Sequence, residues 1–309
     1  MGAVSDIIAP PIAAPLVDDL VAAFQIENQP VRGRIVRLGP AVDEILTRHA
    51  YPEAVANLLG ETCALAAVVG ASLKFEGRLI VQAQGDGPVR YVVVDYDTEG
   101  SLRGYARYDE AEVAKACEGF ARPGARTLLG KGVFIMTVDQ GPDMDRYQGV
   151  TPIEGETLAL CAEQYFAQSE QTPTRVRLAV GQADAGEGAH WRAGGLFIQN
   201  IAEDDARGST EEAWITAQAL FETVGEDELI DPTINSQTLL WRLFHEDGVR
   251  MFEPKPLKAF CRCSPERIVG VLKSFPQEDI AGMVEEDGRI RVTCEYCSRV
   301  YALTAEEVV

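Results

Sequence analysis

The first 200 residues alternate between a period of two and a period near 3.6. Arg32 to Leu38 interleaves charged and aliphatic residues, as a half-buried strand does. Pro52 opens a helical stretch through Leu59, Cys63, Ala67 and Val68. Three strands are predicted next, at 78–84, 89–96 and 101–108, joined by GDGP and DTEG, both turn-forming sequences. A short helix is predicted over 109–118, strands over 127–138 and 147–153, and a helix over 154–169. Strands at 174–182 and 189–199 close this part. Strands joined by tight turns, with helices between the groups, predict an α+β fold built on antiparallel sheets. A doubly wound parallel sheet would need a regular βαβ alternation, which this pattern lacks.

Past residue 200 the pattern changes. Residues 209–224 read as an amphipathic helix, with Ser209 and Glu212 spaced as a capping box and Trp214, Ala217, Phe221 and Val224 at helical spacing. A second helical stretch, 235–245, carries Leu239, Leu240, Leu243 and Phe244. Between them lies acidic, proline-broken GEDELIDPT. A flexible tether would be polar throughout, so these apolar faces must dock on something. Trp214, Phe221, Leu240 and Phe244 are the expected docking side chains. The predicted organisation is a core over 1–205, a metastable helical linker over 206–256 and a small C-terminal domain over 257–309.

Charge sharpens this division. The chain holds 28 basic and 48 acidic residues, a net charge of −20. Residues 201–250 contain twelve acids and three bases, and residues 251–309 ten acids and eight bases. So acidic a chain repels phosphate backbones and anionic lipid heads, which speaks against nucleic-acid and membrane partners. No apolar run reaches the roughly 18–20 residues of a membrane span. The first twenty residues have no basic stretch ahead of their apolar one, unlike a signal peptide. A reducing cytoplasmic location is expected.

Phosphate and hydrolase chemistry find little support. GARTLLGKG at 124–132 has one residue too many between its glycines for a phosphate loop, and Gly132 stands where a hydroxyl should hold magnesium. His49, His190 and His245 have no motif partners, and His245 is expected near a helix end. Cys63, Cys117 and Cys161 stand alone in apolar helical patterns, as small buried hydrophobes do.

The strong signal is Cys261-Arg-Cys263 followed by Cys294-Glu-Tyr-Cys297. Two close pairs of soft thiolates suit one tetrahedral zinc per chain. Strand-like sequence flanks the second pair, so it should cap a hairpin. A closed four-thiolate site has no open position for hydrolysis, and the chain is not expected to be an enzyme. Two features point beyond a purely structural zinc. A CxC pair can close only a small, strained disulfide ring, which favours lability. Metal-held thiolates are also the species that oxidants attack.

The chain resembles the redox-regulated 33-kilodalton heat-shock chaperones of bacteria. The CxC…CxxC set at this spacing carries the likeness, with VRGRIVRL (31–38), YPEAVANLLGE (51–61), LKFEGRLIVQAQGDGPV (73–89), YQGVTPIEGE (147–156), YFAQSEQTPT (165–174) and LLWRLFHEDGVRMFEP (239–254). Asn200-Ile201-Ala202 departs from the family's usual Leu-Pro ending there. The resemblance implies an ATP-independent holdase that keeps unfolding clients from aggregating, inactive while zinc is bound. It implies oxidation to the disulfides Cys261–Cys263 and Cys294–Cys297, loss of zinc, unfolding of the C-terminal module and release of the linker. It further implies a monomer when reduced and a homodimer when oxidised. A zinc-ribbon docking protein without chaperone activity is the alternative. A CxxC oxidoreductase would place that motif at a helix N-terminus instead.

Overall fold

A computed structural model describes residues 5–7, 17–27, 29–72, 76–120, 122–141, 144–186, 188–201 and 210–308. Helices and antiparallel sheets mix along the chain, as an α+β fold requires. The chain divides into two compact units, Met1–Ala259 and Phe260–Val309. The described part of the 206–256 linker belongs to the first unit.

The first unit is built on two sheets. The seven-stranded sheet contains, in order, Leu20–Ile26, Val31–Leu38, Ala189–Asn200 and, at its edge, Thr174–Asp184, each antiparallel to the next. The six-stranded sheet contains the meander Arg78–Gly85, Val89–Asp97 and Ser101–Tyr108, extended by Gly132–Asp139 and Tyr147–Pro152. Between the sheets runs the helix Glu53–Gly70, nearly all of whose side chains are buried. It is long and apolar enough to cross a membrane, a feature its interrupting Glu61 and Thr62 obscure in the sequence, yet 89% of it is buried inside the protein. An all-round apolar helix of this kind suits a core position.

Pleat alternation gives the seven-stranded sheet two working faces. Val36, Leu38, Val176, Leu178, Val180 and Phe197 pack into the main core with the central helix. Their neighbours Ile35, Ala179, Leu196 and Ile198, with Ala22, Phe24 and Ile26, face a second cluster. Residues 210–251 supply the other side of that cluster. Val249–Met251 also enters the sheet, pairing with Leu20–Ile26 on one side and Ser5–Ile7 on the other.

Several elements differ from the sequence-based expectation. The strand expected over 127–138 is a short helix, Ala125–Leu129, followed by the strand Gly132–Asp139. Gly130 breaks the helix at φ +70, and the Leu128–Leu129 pair is buried from the helix instead of from a strand. The helix expected from 154 begins at Leu158, where the Thr157 hydroxyl accepts from the Leu160 amide at 3.2 Å. It loosens into a π turn over Phe166–Glu170. GEDELIDPT is not irregular: it holds the helix Glu226–Ile230, where the Gly225 amide donates to the Glu228 carboxylate at 3.1 Å. The strand Leu20–Ile26 and the helix Pro40–Thr47 were not foreseen. Ser209, and with it the proposed capping box, lies outside the described residues.

Candidate functional site

In the second unit, Cys261 and Cys263 lie on the extended segment entering the helix Pro265–Leu272. Ser264 caps that helix, accepting from the Arg267 amide, while the Arg267 guanidinium returns to the Arg262 carbonyl at 3.0 Å. The second cysteine pair sits on the turn of the hairpin Arg289–Thr293/Val300–Thr304. The Cys294 amide donates to the Arg299 carbonyl at 2.9 Å and the Ser298 amide to the Cys294 carbonyl at 2.8 Å. Ser298 takes the left-handed region at φ +55, which folds the turn back toward the first pair.

All four sulfurs lie within 4.8 Å of one another. Cys261 Sγ is 3.7 Å from Cys294 Sγ, and Cys263 Sγ is 3.4 Å from Cys297 Sγ. A tetrahedron of sulfurs about zinc, at ~2.3 Å per bond, has edges of about 3.8 Å. The donor set and its spacing therefore fit a metal ion that prefers four thiolates. The Tyr301 hydroxyl donates to Cys263 Sγ at 3.0 Å. Burial opposes ionisation of Cys263, but hydrogen bonds from Tyr301 and the neighbouring thiols bring its pKa down to about 7. Burial pushes Cys297 up to about 12 and raises Cys294 as well. Without a metal, four close sulfurs favour one thiolate; a bound cation reverses that balance and holds all four ionised.

The apolar cluster of this unit is small: Leu272, Ile280, Ile290, Leu303 and Val308. Domains of about this size with so little core commonly need metal or disulfide cross-links.

The isolated cysteines are placed differently. Cys63 and Cys161 are buried, and burial pushes the Cys63 thiol up to about 12 and raises Cys161 too. Cys117 is half-buried. The three histidines are scattered. His49 packs on Tyr51 and Tyr105, His190 lies 3.2 Å from the Asp43 carboxylate, and His245 ends the helix Ser236–Phe244.

In the first unit, the linker is seated on the outer face of the seven-stranded sheet. The helix Thr210–Phe221 inserts Phe221 and the helix Ser236–Phe244 inserts Leu240 and Phe244; all three are almost fully buried. Phe244 stacks on Phe24 with ring centroids 5.8 Å apart. Trp214 packs against the same cluster but stays partly exposed, at the helix end nearest the undescribed segment.

Sequence reasoning missed a set of core arginines that grips the same linker. Arg175 donates to Gln218 at 2.9 Å, and Arg177 to the Glu222 carboxylate at 2.8 Å. Arg122 pairs with Glu226 at 3.3 Å and lies 3.5 Å from Glu61 on the central helix. Arg37 donates to the carbonyls of Glu228 and Asp231, and Arg192 to that of Ile230 at 2.7 Å. Burial lowers Arg37 to about 10, which leaves it charged at neutral pH. The signal was present in the sequence: Arg175 and Arg177 alternate on one strand, and the segment they meet is the most acidic of the chain.

Comparison with known proteins agrees with this architecture. The family model described as Hsp33 protein matches residues 19–304. A 33 kDa chaperonin of Caulobacter vibrioides is 77% identical over 288 residues, covering 93% of this chain and 95% of its own. A 33 kDa chaperonin of Enterobacter is 36% identical over 292 residues, covering 94% of each. A crystal structure of a 33 kDa chaperonin from Thermotoga maritima superposes with a TM-score of 0.77 at 23% identity, over 94% of this chain and 96% of that one, and supports the fold. By the family match and these relatives, the chain belongs to the Hsp33 family and is a chaperone.

Proposed function

We propose that this chaperone is a redox-regulated, ATP-independent holdase of the cytoplasm, without enzymatic activity, that binds thermally unfolding and oxidatively damaged proteins. The observation that carries the proposal is the gathering of four thiols around one point in a unit with little core of its own. Zinc, when bound, supplies the cross-link, worth roughly 10–16 kcal/mol of apparent binding free energy in small zinc modules. Cys261, Cys263, Cys294 and Cys297 are its ligands, one ion per chain.

Oxidation consumes those ligands. Cys261 with Cys263, and Cys294 with Cys297, each give two electrons to an oxidant such as peroxide. Two thiolates, one peroxide and two protons yield one disulfide and two waters, so each chain uses two peroxides. Pairing within each short motif leaves the entering segment and the hairpin unconnected. Pairing across them, Cys261 to Cys294 or Cys263 to Cys297, would instead staple the unit together. The proposed pairing therefore unfolds the C-terminal unit and lowers the barrier to linker release, after which the oxidised chain binds clients as a homodimer.

The test is zinc content together with light scattering from an aggregating client at mild heat, before and after peroxide. Loss of zinc with a gain of aggregation suppression is expected. Full suppression by the reduced, zinc-loaded protein, or none by the oxidised one, overturns the proposal. A zinc-ribbon docking protein would lose zinc without gaining this activity.

A further inference from the structure

The seat of the linker is not purely apolar. Arg37, Arg175, Arg177 and Arg192 all project from the outer face of the seven-stranded sheet, by the same pleat parity that turns Ile35, Ala179 and Leu196 outward. Arg122 joins them from the loop ahead of the helix Ala125–Leu129. Facing them, the linker presents carboxylates at Glu222 and Glu226 beside the apolar Phe221 and Leu229. Arg177 serves both parts at once: it pairs with Glu222 while its guanidinium lies 6.0 Å from the centre of the Phe221 ring.

The core's own carboxylates compensate this row only in part. Asp18 pairs with Arg192, Glu61 lies beside Arg122 and Glu163 accepts from Arg175. Among the described residues, five guanidinium groups thus face three carboxylates of the core, and Glu222 and Glu226 of the acidic linker supply two more. Removing the linker leaves an apolar floor with a positive border.

We propose that this face, once uncovered, is charge-selective: it takes client segments that carry carboxylates beside an apolar stripe, in the place the linker had occupied. The proposal rests on the holdase reading and specifies its clients. The linker is then an internal stand-in for the client, and its acidity is part of how it competes. Basic amphipathic segments of equal hydrophobicity bind the face less well, because they set like charges against the arginines and leave the border without partners.

The probe is a fluorescein-labelled peptide of residues 210–245 of this chain, titrated by anisotropy into the full-length, peroxide-oxidised protein. A second peptide carries Glu222→Gln and Glu226→Gln, the two carboxylates that meet core arginines, with every apolar residue and the Glu228 cap kept. The expected result is binding of the first peptide, about two- to thirtyfold weaker binding of the second, and convergence of the two as salt screens the border. Equal affinity at low salt overturns charge selectivity. So does failure of both peptides to bind while the same oxidised sample suppresses client aggregation, and there the holdase reading survives. An oxidised sample that suppresses no aggregation fails at the earlier step and overturns both. Because the changes are made in the peptide, no variant of the protein has to fold for the test to decide.

Discussion

Phe244 offers a direct measure of how firmly the linker is seated. Its ring is fully buried and stacks on Phe24 of the sheet. Phe244→Ala removes that packing from the seated state while changing the released state little. Large-to-small changes of this kind cost about 3–5 kcal/mol where the site does not collapse. Placed wholly on seating, that loss raises the released fraction roughly a hundredfold to a few thousandfold. The assay is amide exchange of residues 236–244 in the reduced, zinc-loaded protein, with client light scattering on the same sample. Exchange should accelerate by about those factors, and suppression of aggregation should appear without oxidant. Ile215→Ala is the control, since Ile215 on the same linker is 58% exposed. If Phe244→Ala is folded and zinc-loaded, yet shows unchanged exchange and no activity, linker seating does not restrain this chaperone.

Trp214→Asp combined with Phe221→Asp should likewise give activity in the reduced state, with Phe221 carrying most of the effect because Trp214 is only partly buried; an inactive, folded, zinc-loaded double variant argues against it. Serine at any one of Cys261, Cys263, Cys294 or Cys297 should lower zinc per chain in the reduced protein, measured by metal analysis after dialysis, and an unchanged stoichiometry refutes that ligand. Truncation near Ala206 should leave a cooperative but lowered thermal transition, since the strand Val249–Met251 is lost with the linker, and the truncated core should hold clients without oxidant. Burial raises Glu61 to about 7, above its unfolded value near 4.5, so its contribution to stability is fully present below about 4.5 and is lost as pH rises through 7. Melting temperatures of Glu61→Gln should therefore fall less between pH 5 and pH 8 than those of the unchanged protein, and parallel curves would exclude the effect.

The periodic elements of the core were legible because burial there follows the pleat and the helical turn. The meander of 78–108 emerged at nearly its observed bounds, with turn residues where its strands reverse. Short elements were not: Leu128–Leu129 between two glycines looks the same in a buried strand and a one-turn helix. Leu20–Ile26 is hard to see because most of its residues are buried, as befits a strand with one core on each face, so it does not alternate. The cysteine site was readable from spacing alone, since the hairpin brings its pair to the turn. Tyr301 beside Cys263 was not readable, because the contact depends on hairpin register. The partners of the arginine grip lie 38 or more residues apart in sequence, so although alternating Arg175 and Arg177 and the acidic linker were visible, their pairing was not.

The pairing of Ser5–Ile7 with Val249–Met251 orders events during synthesis. At roughly 5–20 residues per second, about 12 to 50 seconds separate the two strands on the ribosome. Through that interval the sheet lacks an inner strand, and Phe24, Ile35 and Leu196 have no linker to cover them. The nascent chain thus passes through a form whose apolar face is open before the segment that closes it exists. Such a chain depends on prompt completion, or on other chaperones, to avoid becoming a client itself. A ribosome stalled near residue 240, once the strand Ala189–Asn200 has emerged, should hold it in that state.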